Sequence, residues 1–226
     1  MEALIINGIN VMRVEGEMSK YSTPWGTQTG MAELALLMDK ADTNTAVRAH
    51  LFIFNSPGGS LDSLPLISCS IKNAKKPCFA IIEGICESAA YYVAAMCKKI
   101  YAIHEMNEIG SIGVFAELYN DESLMEYFGV KKITIYPKES SQKNLPEREA
   151  LKGKTDLLEK EKLSPIVDMF HEQVKAYRSQ IDSTKEAANV WAGKSYYAKD
   201  ALKAGLIDGI YTPRECIEMI LKEISK

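Results

Sequence analysis

The stretch Cys78-Phe79-Ala80-Ile81-Ile82-Glu83-Gly84-Ile85-Cys86-Glu87-Ser88-Ala89-Ala90-Tyr91-Tyr92 changes character half-way along. Its first five residues form an unbroken apolar run, the pattern of a short strand buried on both faces of a sheet. Beyond Gly84 the composition turns to small and aromatic residues, and Ala89 to Lys98 reads as a helix. Ser88 stands at the junction, where a strand delivers the chain to a helix N-terminus. Repeated strand-to-helix transitions of this kind build an α/β sheet.

The same transition occurs upstream. Leu51-Phe52-Ile53-Phe54 is a second apolar run, and Asn55-Ser56-Pro57-Gly58-Gly59-Ser60 leads from it into a helical pattern over Ser60 to Asn73. Leu61, Leu64, Ile67 and Ile71 mark that helix's apolar face, and Pro65 is placed to delay its start. Val11-Met12-Arg13-Val14, Ile100-Tyr101-Ala102-Ile103 and Ile133-Thr134-Ile135-Tyr136 read as further strands. Met31, Leu34, Met38 and Ala41 step by three and four, as a helix requires. The alternation predicts right-handed crossover units.

The third quarter differs. Pro137 to Lys154 is polar, without a clear period, and reads as a loop long enough to be functional. Leu163, Val167, Phe170, Val174 and Tyr177 then form one stripe on a long helix disturbed at Pro165. The stripe suits core packing, with a protomer–protomer face as the alternative. No repeat, low-complexity tract or linker divides the chain.

Composition narrows the function. Of 226 residues, 46% are apolar and 25% charged, which excludes wholesale disorder. Lys plus Arg number 27 against 30 Asp plus Glu, a net charge of −3, so a general nucleic-acid coat is excluded. No apolar run approaches the roughly 20 residues of a membrane span. The segment Met1 to Asn10 has no basic n-region and no long apolar core, so no signal peptide is expected, and a cytoplasmic setting follows. The five cysteines, Cys69, Cys78, Cys86, Cys97 and Cys216, are odd in number and form no C-x-x-C pair. They predict neither a disulfide framework nor a zinc site, and no metal or other cofactor is expected.

Three segments could carry chemistry. In the Pro57-Gly58-Gly59 turn, amides without side chains can approach a phosphate or a developing oxyanion, or the turn can simply connect strand and helix. Ser88 is either a helix N-cap or a nucleophile whose attacked carbonyl meets free amides at the positive end of a helix. Cys86 is a rival nucleophile without an assignable partner. Gly110-Ser111-Ile112-Gly113-Val114 is a tight turn, or a groove wall on which an extended peptide adds as a strand. A serine nucleophile needs a base. His50, His104 and His171 are the only histidines, and none sits in an evident serine–histidine pattern. A lysine made neutral by burial can serve instead, and the polar segment offers Lys138, Lys143, Lys152 and Lys154.

Taken in order, the Asn55 to Ser60 turn, Gly84-(x3)-Ser88-x-x-Tyr91-Tyr92 and Gly110 to Val114 resemble the signal peptide peptidase A family, which includes the phage head-maturation (prohead) proteases. Trp191-Ala192-Gly193-Lys194 and the block Ala198 to Asp208, whose helix should end at Gly205 before a last short strand, continue the resemblance over roughly residues 9 to 215. The resemblance implies a Clp protease/crotonase-like fold of stacked ββα units, in one serine–lysine peptidase domain spanning residues 1–226. It makes Ser88 the nucleophile. The family lysine follows a strand in a Ser-Gly-x-x-Lys-Asp pattern, matched here by Ser140-Ser141-Gln142-Lys143-Asn144, so Lys143 is the base and Lys138 the fallback. Ser111 would orient the lysine. Backbone N–H groups of Gly59 and Ala89, with Gly58, would form the oxyanion hole. Gly110, Ile112, Gly113 and Val114 would bind an extended peptide.

This chain has Ala89-Ala90 where the family commonly has Gly-Gly, which keeps the amides but adds methyl groups. A Clp-type triad would need a histidine about 25 residues after the serine, where Gly113 stands. A crotonase-type acyl-CoA site is disfavoured by the Ser-Pro-Gly-Gly turn. The implied partners are a peptide or protein substrate, other copies of the chain in a homo-oligomer with sites between protomers, and phage capsid or scaffold proteins. The alternatives are a bacterial peptidase that degrades cleaved signal peptides and a catalytically inactive assembly scaffold of the same fold.

Overall fold

The computed structural model describes residues 4–23 and 28–225. The chain opens with β1 (Leu4–Ile6), β2 (Ile9–Glu15), β3 (Glu17–Ser19), β4 (Gln28–Gly30) and α1 (Met31–Asp42). Next come β5 (Ala49–Ser56), α2 (Leu64–Asn73), β6 (Cys78–Glu87), α3 (Ala89–Ala95), β7 (Lys99–Ala102) and β8 (Glu108–Gly110). Short helices α4 (Glu122–Tyr127), α5 (Leu145–Ala150) and α6 (Asp156–Leu158) precede α7 (Ser164–Tyr177). The chain closes with α8 (Ala187–Trp191), β9 (Ser195–Tyr197), α9 (Ala198–Lys203), β10 (Gly209–Ile210) and α10 (Pro213–Glu223). Two compact units result: Met1–Gly113 with Phe170–Lys226, and Val114–Met169.

In the larger unit, β2, β5, β6, β7 and β10 pair in parallel in that order, and β1 adds antiparallel at the β2 edge. Alternation along the strands divides the core. Met12, Val14, Phe52, Phe54, Ala80 and Ile82 pack with residues of α1, α2 and α3 on one face. Ile9, Ala49, Leu51, Phe79, Ile81 and Tyr101 meet Cys216 and Ile220 of α10 on the other. Both faces are covered, which is why the strands read as continuous apolar runs. Each fully buried ring such as Phe52 or Phe54 contributes about 2–3 kcal/mol.

The upper part of β6 leaves this layer. Phe54 pairs with Ile82 but Ser56 with Cys86, so β6 carries two extra residues at Glu83–Ile85. Beyond this bulge β6 pairs with β8 rather than β7, and β8 pairs with β9. Buried Asn107 pins the bend: its Nδ2 donates to the Glu83 and Gly84 carbonyls, and its Oδ1 accepts from the Ile103 and His104 N–H groups. The sheet has the mixed α/β architecture expected from the sequence.

The predicted strands at Val11, Leu51, Cys78 and Ile100 form, and a 3₁₀ turn at Leu61–Ser63 does delay α2 to Leu64. The predicted strand at Ile133–Tyr136 does not form; Ile133 and Ile135 are exposed there, and the run pairs with no described strand. The segment predicted as a loop from Pro137 to Lys154 contains a 3₁₀ turn at Lys138–Ser140 and α5. Pro146 sits in the first turn of α5, where its missing N–H costs nothing. Pro165 acts as expected. It cannot donate to the carbonyl four residues back, and the preceding turn widens to a π-helix over Glu159–Leu163, with the Ser164 N–H bonded to the Glu159 carbonyl. The stripe on α7 buries Phe170 and Val174 in the main core.

Candidate active site

Ser88 joins β6 to α3 in an unusual backbone conformation, φ 50° and ψ −124°. These angles match the first central position of a type II′ turn, ordinarily held by glycine. A serine there costs on the order of 1–3 kcal/mol and persists only where surrounding bonds fix it. They do: the Ser88 N–H donates to the Gly110 carbonyl at 3.0 Å, and the Ser88 carbonyl accepts from the Tyr92 N–H at 2.9 Å. The Ser88 side chain is half-buried, while Ala89 and Ala90 behind it are fully packed.

The Pro57-Gly58-Gly59 turn lies against this junction. A Cβ on Gly58 would stand 2.8 Å from the Ala89 nitrogen and 2.9 Å from the Ser88 Cβ, so only glycine fits. Gly59 forms an isolated parallel bridge with Met18 of β3, where a Cβ would come within 2.0 Å of the Met18 oxygen. The bridge is made by the Met18 N–H to the Gly58 carbonyl at 2.7 Å and the Ser60 N–H to the Met18 carbonyl at 3.0 Å. These bonds flank Gly59, and its own N–H takes no part in them. The Gly58 N–H donates to buried Ser56 Oγ at 3.1 Å, so it is occupied. The Ala89 N–H opens α3 and has no partner within the helix.

Gly110 ends β8 beside Glu87, and Ser111 follows with φ 51°, its N–H bonded to the Lys194 carbonyl at 3.3 Å. Ile112 is buried and Gly113 half-buried. Thus Ser88, Ala89, Gly58, Gly59, Gly110 and Ser111, scattered in sequence, are neighbours through β5, β6 and β8. Lys143, Lys138 and Val114 belong to the smaller unit, where both lysine side chains are exposed.

The rival groups have other roles. Cys86 is fully buried, and burial, reinforced by Glu87, pushes its thiol well above the ordinary range. A buried thiol of that kind is inert. His50 starts β5, at the opposite end of that strand from the Gly-Gly turn, hydrogen-bonded to Asp42 and Asn10. His104 Nδ1 accepts from the Met106 N–H, and His171 packs on the Trp191 ring at 5.0 Å. The hydrogen bonds of His50 and His104 go to these groups and not to Ser88. Asn107, Arg178 and the bond that Ser56 accepts from Gly58 have no periodic signal in the sequence.

A sequence model of peptidase family S49 matches residues 70–224, more than half the chain, including Ser88 and the strand before it. The chain belongs to peptidase family S49. This is the signal peptide peptidase A family expected from the motifs. Among curated relatives, the MJ0651 protein of Methanocaldococcus jannaschii, which carries a protease name, is 27% identical over 81% of this chain. Protease 4 of Haemophilus influenzae is 27% identical over 93% of it, and head-tail preconnector protein GP5 of Enterobacteria phage P21 is 25% identical over 96%. The chain spans 58%, 34% and 43% of these three proteins' lengths. Among solved structures, an enoyl-CoA hydratase/isomerase family member aligns over 100% of this chain and 76% of its own, at TM-score 0.58 and 15% identity. A membrane-bound stomatin-specific protease bound to a substrate peptide aligns over 95% of this chain and 80% of its own, at TM-score 0.56 and 16% identity. At those identities the likeness is one of fold.

Proposed function

We propose that this S49-family chain is a serine endopeptidase with Ser88 as nucleophile and Lys143 as base. The observation that carries the reading is the backbone of Ser88. A non-glycine residue is held at φ 50° on a strand-to-helix turn, with Gly58 packed against it and against the Ala89 nitrogen. Strain of this kind at a serine is the backbone solution used by nucleophile elbows.

In the proposed reaction Ser88 Oγ attacks a peptide carbonyl while neutral Lys143 takes its proton. The Gly59 and Ala89 N–H groups stabilise the oxyanion, each typically worth about 10²–10³ in rate. The Gly58 N–H is already bonded to Ser56, so Gly58 serves by its lack of a side chain. Protonated Lys143 gives its proton to the leaving amine, and water then repeats the cycle on the acyl-enzyme. Ser111 orients the lysine. Gly110, Ile112, Gly113 and Val114 pair with an extended substrate. Lysine works as a base only where burial disfavours its charge, and exposed Lys143 needs a cover. A second copy of the chain supplies it, so the working form is a homo-oligomer.

The substrate class we favour is a phage or prophage capsid-assembly protein. Support comes from the likeness to the phage preconnector protein along 96% of this chain. Cleaved signal peptides are the alternative, consistent with the protease 4 relative. Among the described residues no helix is long and apolar enough to cross a membrane.

Intact-mass spectrometry after fluorophosphonate treatment tests the reading. Wild type should gain one adduct, Ser88→Ala none, and Lys143→Ala should react at least 100-fold more slowly. An adduct forming at wild-type rate in Lys143→Ala would move the base to Lys138. No adduct on assembled wild type would overturn the assignment in favour of an inactive scaffold.

A further inference from the structure

The block Ala198 to Asp208 stands out in the sequence, yet the proposed chemistry does not use it. The structure gives it a place. Helix α3, which begins at Ala89 immediately after Ser88, is seven residues long and buried at Ala89, Ala90, Tyr91, Val93, Ala94 and Ala95. Four of its seven residues are alanine, and Tyr91 is its one large fully buried side chain. Two polar attachments hold it to the C-terminal part of the chain.

The first attachment is at its far end. Arg178 follows α7, is 3% exposed and spreads its guanidinium over three acceptors. Nε donates to the Ala95 carbonyl at 3.3 Å, Nη2 to the Cys97 carbonyl at 2.8 Å and Nη1 to Asp208 Oδ2 at 2.8 Å. Asp208 is held in turn: Oδ2 accepts from the Ile100 N–H at 2.8 Å and Oδ1 from Lys99 Nζ at 3.0 Å. Burial alone would raise the Asp208 carboxyl; Arg178, the Ile100 N–H and Lys99 outweigh it and hold the group below the usual range, ionised. The second attachment is in the first turn. Fully buried Tyr91 donates its hydroxyl hydrogen to the Leu206 carbonyl at 2.8 Å.

We propose that Arg178, Asp208 and the Tyr91–Leu206 bond form a positioning latch that fixes α3 along its axis and so sets where the Ala89 amide meets the oxyanion. The inference rests on the protease reading above. The physical argument is geometric. Seven residues of α-helix span about 10 Å, and a helix slides or tilts as a rigid rod. Loosening its C-terminal end therefore displaces its N-terminal amides. Misplacing catalytic groups by about 1 Å costs on the order of 10² in rate. The guanidinium suits this role because a planar fork bonds carbonyls and a carboxylate in fixed directions, which a lysine ammonium cannot do. Its charge at the carboxyl end of α3 also complements the helix dipole.

Arg178→Lys and Tyr91→Phe test the latch, with Ile220→Ala as a destabilised control in the separate α10 core. Three quantities are read well below each protein's melting transition: kcat and KM on a peptide, the fluorophosphonate reaction rate, and hydrogen exchange at Ser88–Tyr92. The latch predicts a kcat lowered about tenfold in Arg178→Lys and severalfold in Tyr91→Phe, with KM within twofold. Phosphonylation should slow in parallel, and the α3 amides should exchange at least tenfold faster. Ile220→Ala should melt earlier but keep wild-type kcat and α3 exchange. If Arg178→Lys does not fold, Tyr91→Phe, which removes one oxygen from a filled site, carries the test.

Wild-type kcat and α3 exchange in folded variants would overturn the latch. So would equal losses in Ile220→Ala, which would mark general destabilisation. A wild-type protein that neither reacts with fluorophosphonate nor cleaves peptide would overturn the protease reading instead. The exchange measurement would still decide whether the three groups hold α3.

Discussion

At Ser88 the backbone gives up stability for placement. Position 88 has φ 50°, and serine, like alanine, carries a Cβ that disfavours it. Glycine does not. Ser88→Gly and Ser88→Ala both remove the hydroxyl, and they differ only in how they tolerate this backbone. Relief of roughly 1–3 kcal/mol of strain, less the roughly 0.5–1 kcal/mol that glycine's greater unfolded freedom costs, leaves Ser88→Gly about 1 kcal/mol more stable than Ser88→Ala. Urea unfolding of the two variants at one pH measures the difference. Equal midpoints would mean that position 88 is unstrained and that its angles say nothing about a nucleophile.

Among the elements, the parallel sheet has two different ends. Its carboxyl ends carry the Gly-Gly turn and Ser88. At its amino end, fully buried His50 links three elements: Asn10 of β2 donates to Nδ1, and Nε2–H donates to Asp42 of α1. Burial lowers the His50 pKa below its ordinary value, with Asp42 opposing only in part. The folded chain therefore resists the proton that the unfolded chain accepts from about pH 6.5 downward. The stability His50 contributes is complete above about pH 6.5 and is lost as pH falls through that value toward the depressed folded one, by up to about 1.4 kcal/mol per pH unit. Thermal melts between pH 7.5 and 5.5 should show the fall, and His50→Gln should flatten it; a slope unchanged in His50→Gln would place the sensitivity elsewhere. The main sheet was legible in the sequence because its strands are covered on both faces and read as apolar runs ending on Gly-rich or small-residue turns. Ile133–Tyr136 has the same apolar character without a described pairing partner, and local pattern cannot tell the two situations apart. The β6 bulge, Asn107 and Arg178 were illegible for a related reason: each is defined by a long-range bond, from Asn107 to Glu83 or from Arg178 to Ala95, and not by any spacing along the chain. The approach of Gly58 to Ser88 has no spacing signal either, and only the order of motifs, which resembles a known family, suggests it in the sequence.

For the whole molecule, the distribution of exposed apolar surface carries the argument for assembly. The Val114–Met169 unit exposes Phe115, Tyr119, Tyr127, Phe128, Ile133 and Ile135, with Ile135 85% accessible. Isolated apolar side chains on a surface need no explanation, but so many bulky ones within about twenty residues are the mark of an interaction surface. Ile133 and Ile135 are exposed in a β-branched apolar run that pairs with no described strand. Lys143 follows the same segment and is exposed in the single chain. If a second copy covers this surface, one event removes apolar area from water and makes Lys143 neutral enough to act. Assembly and activity should then rise together. Sedimentation velocity over a dilution series should show a reversible oligomer, and the fluorophosphonate rate per chain should fall over the same concentration range. Ile135→Glu, which places a charge in the surface without touching Ser88 or Lys143, should move both transitions to higher concentration by at least tenfold and leave the melting of the large unit unchanged. A labelling rate per chain that stays constant through dissociation would show that each protomer holds a complete site by itself.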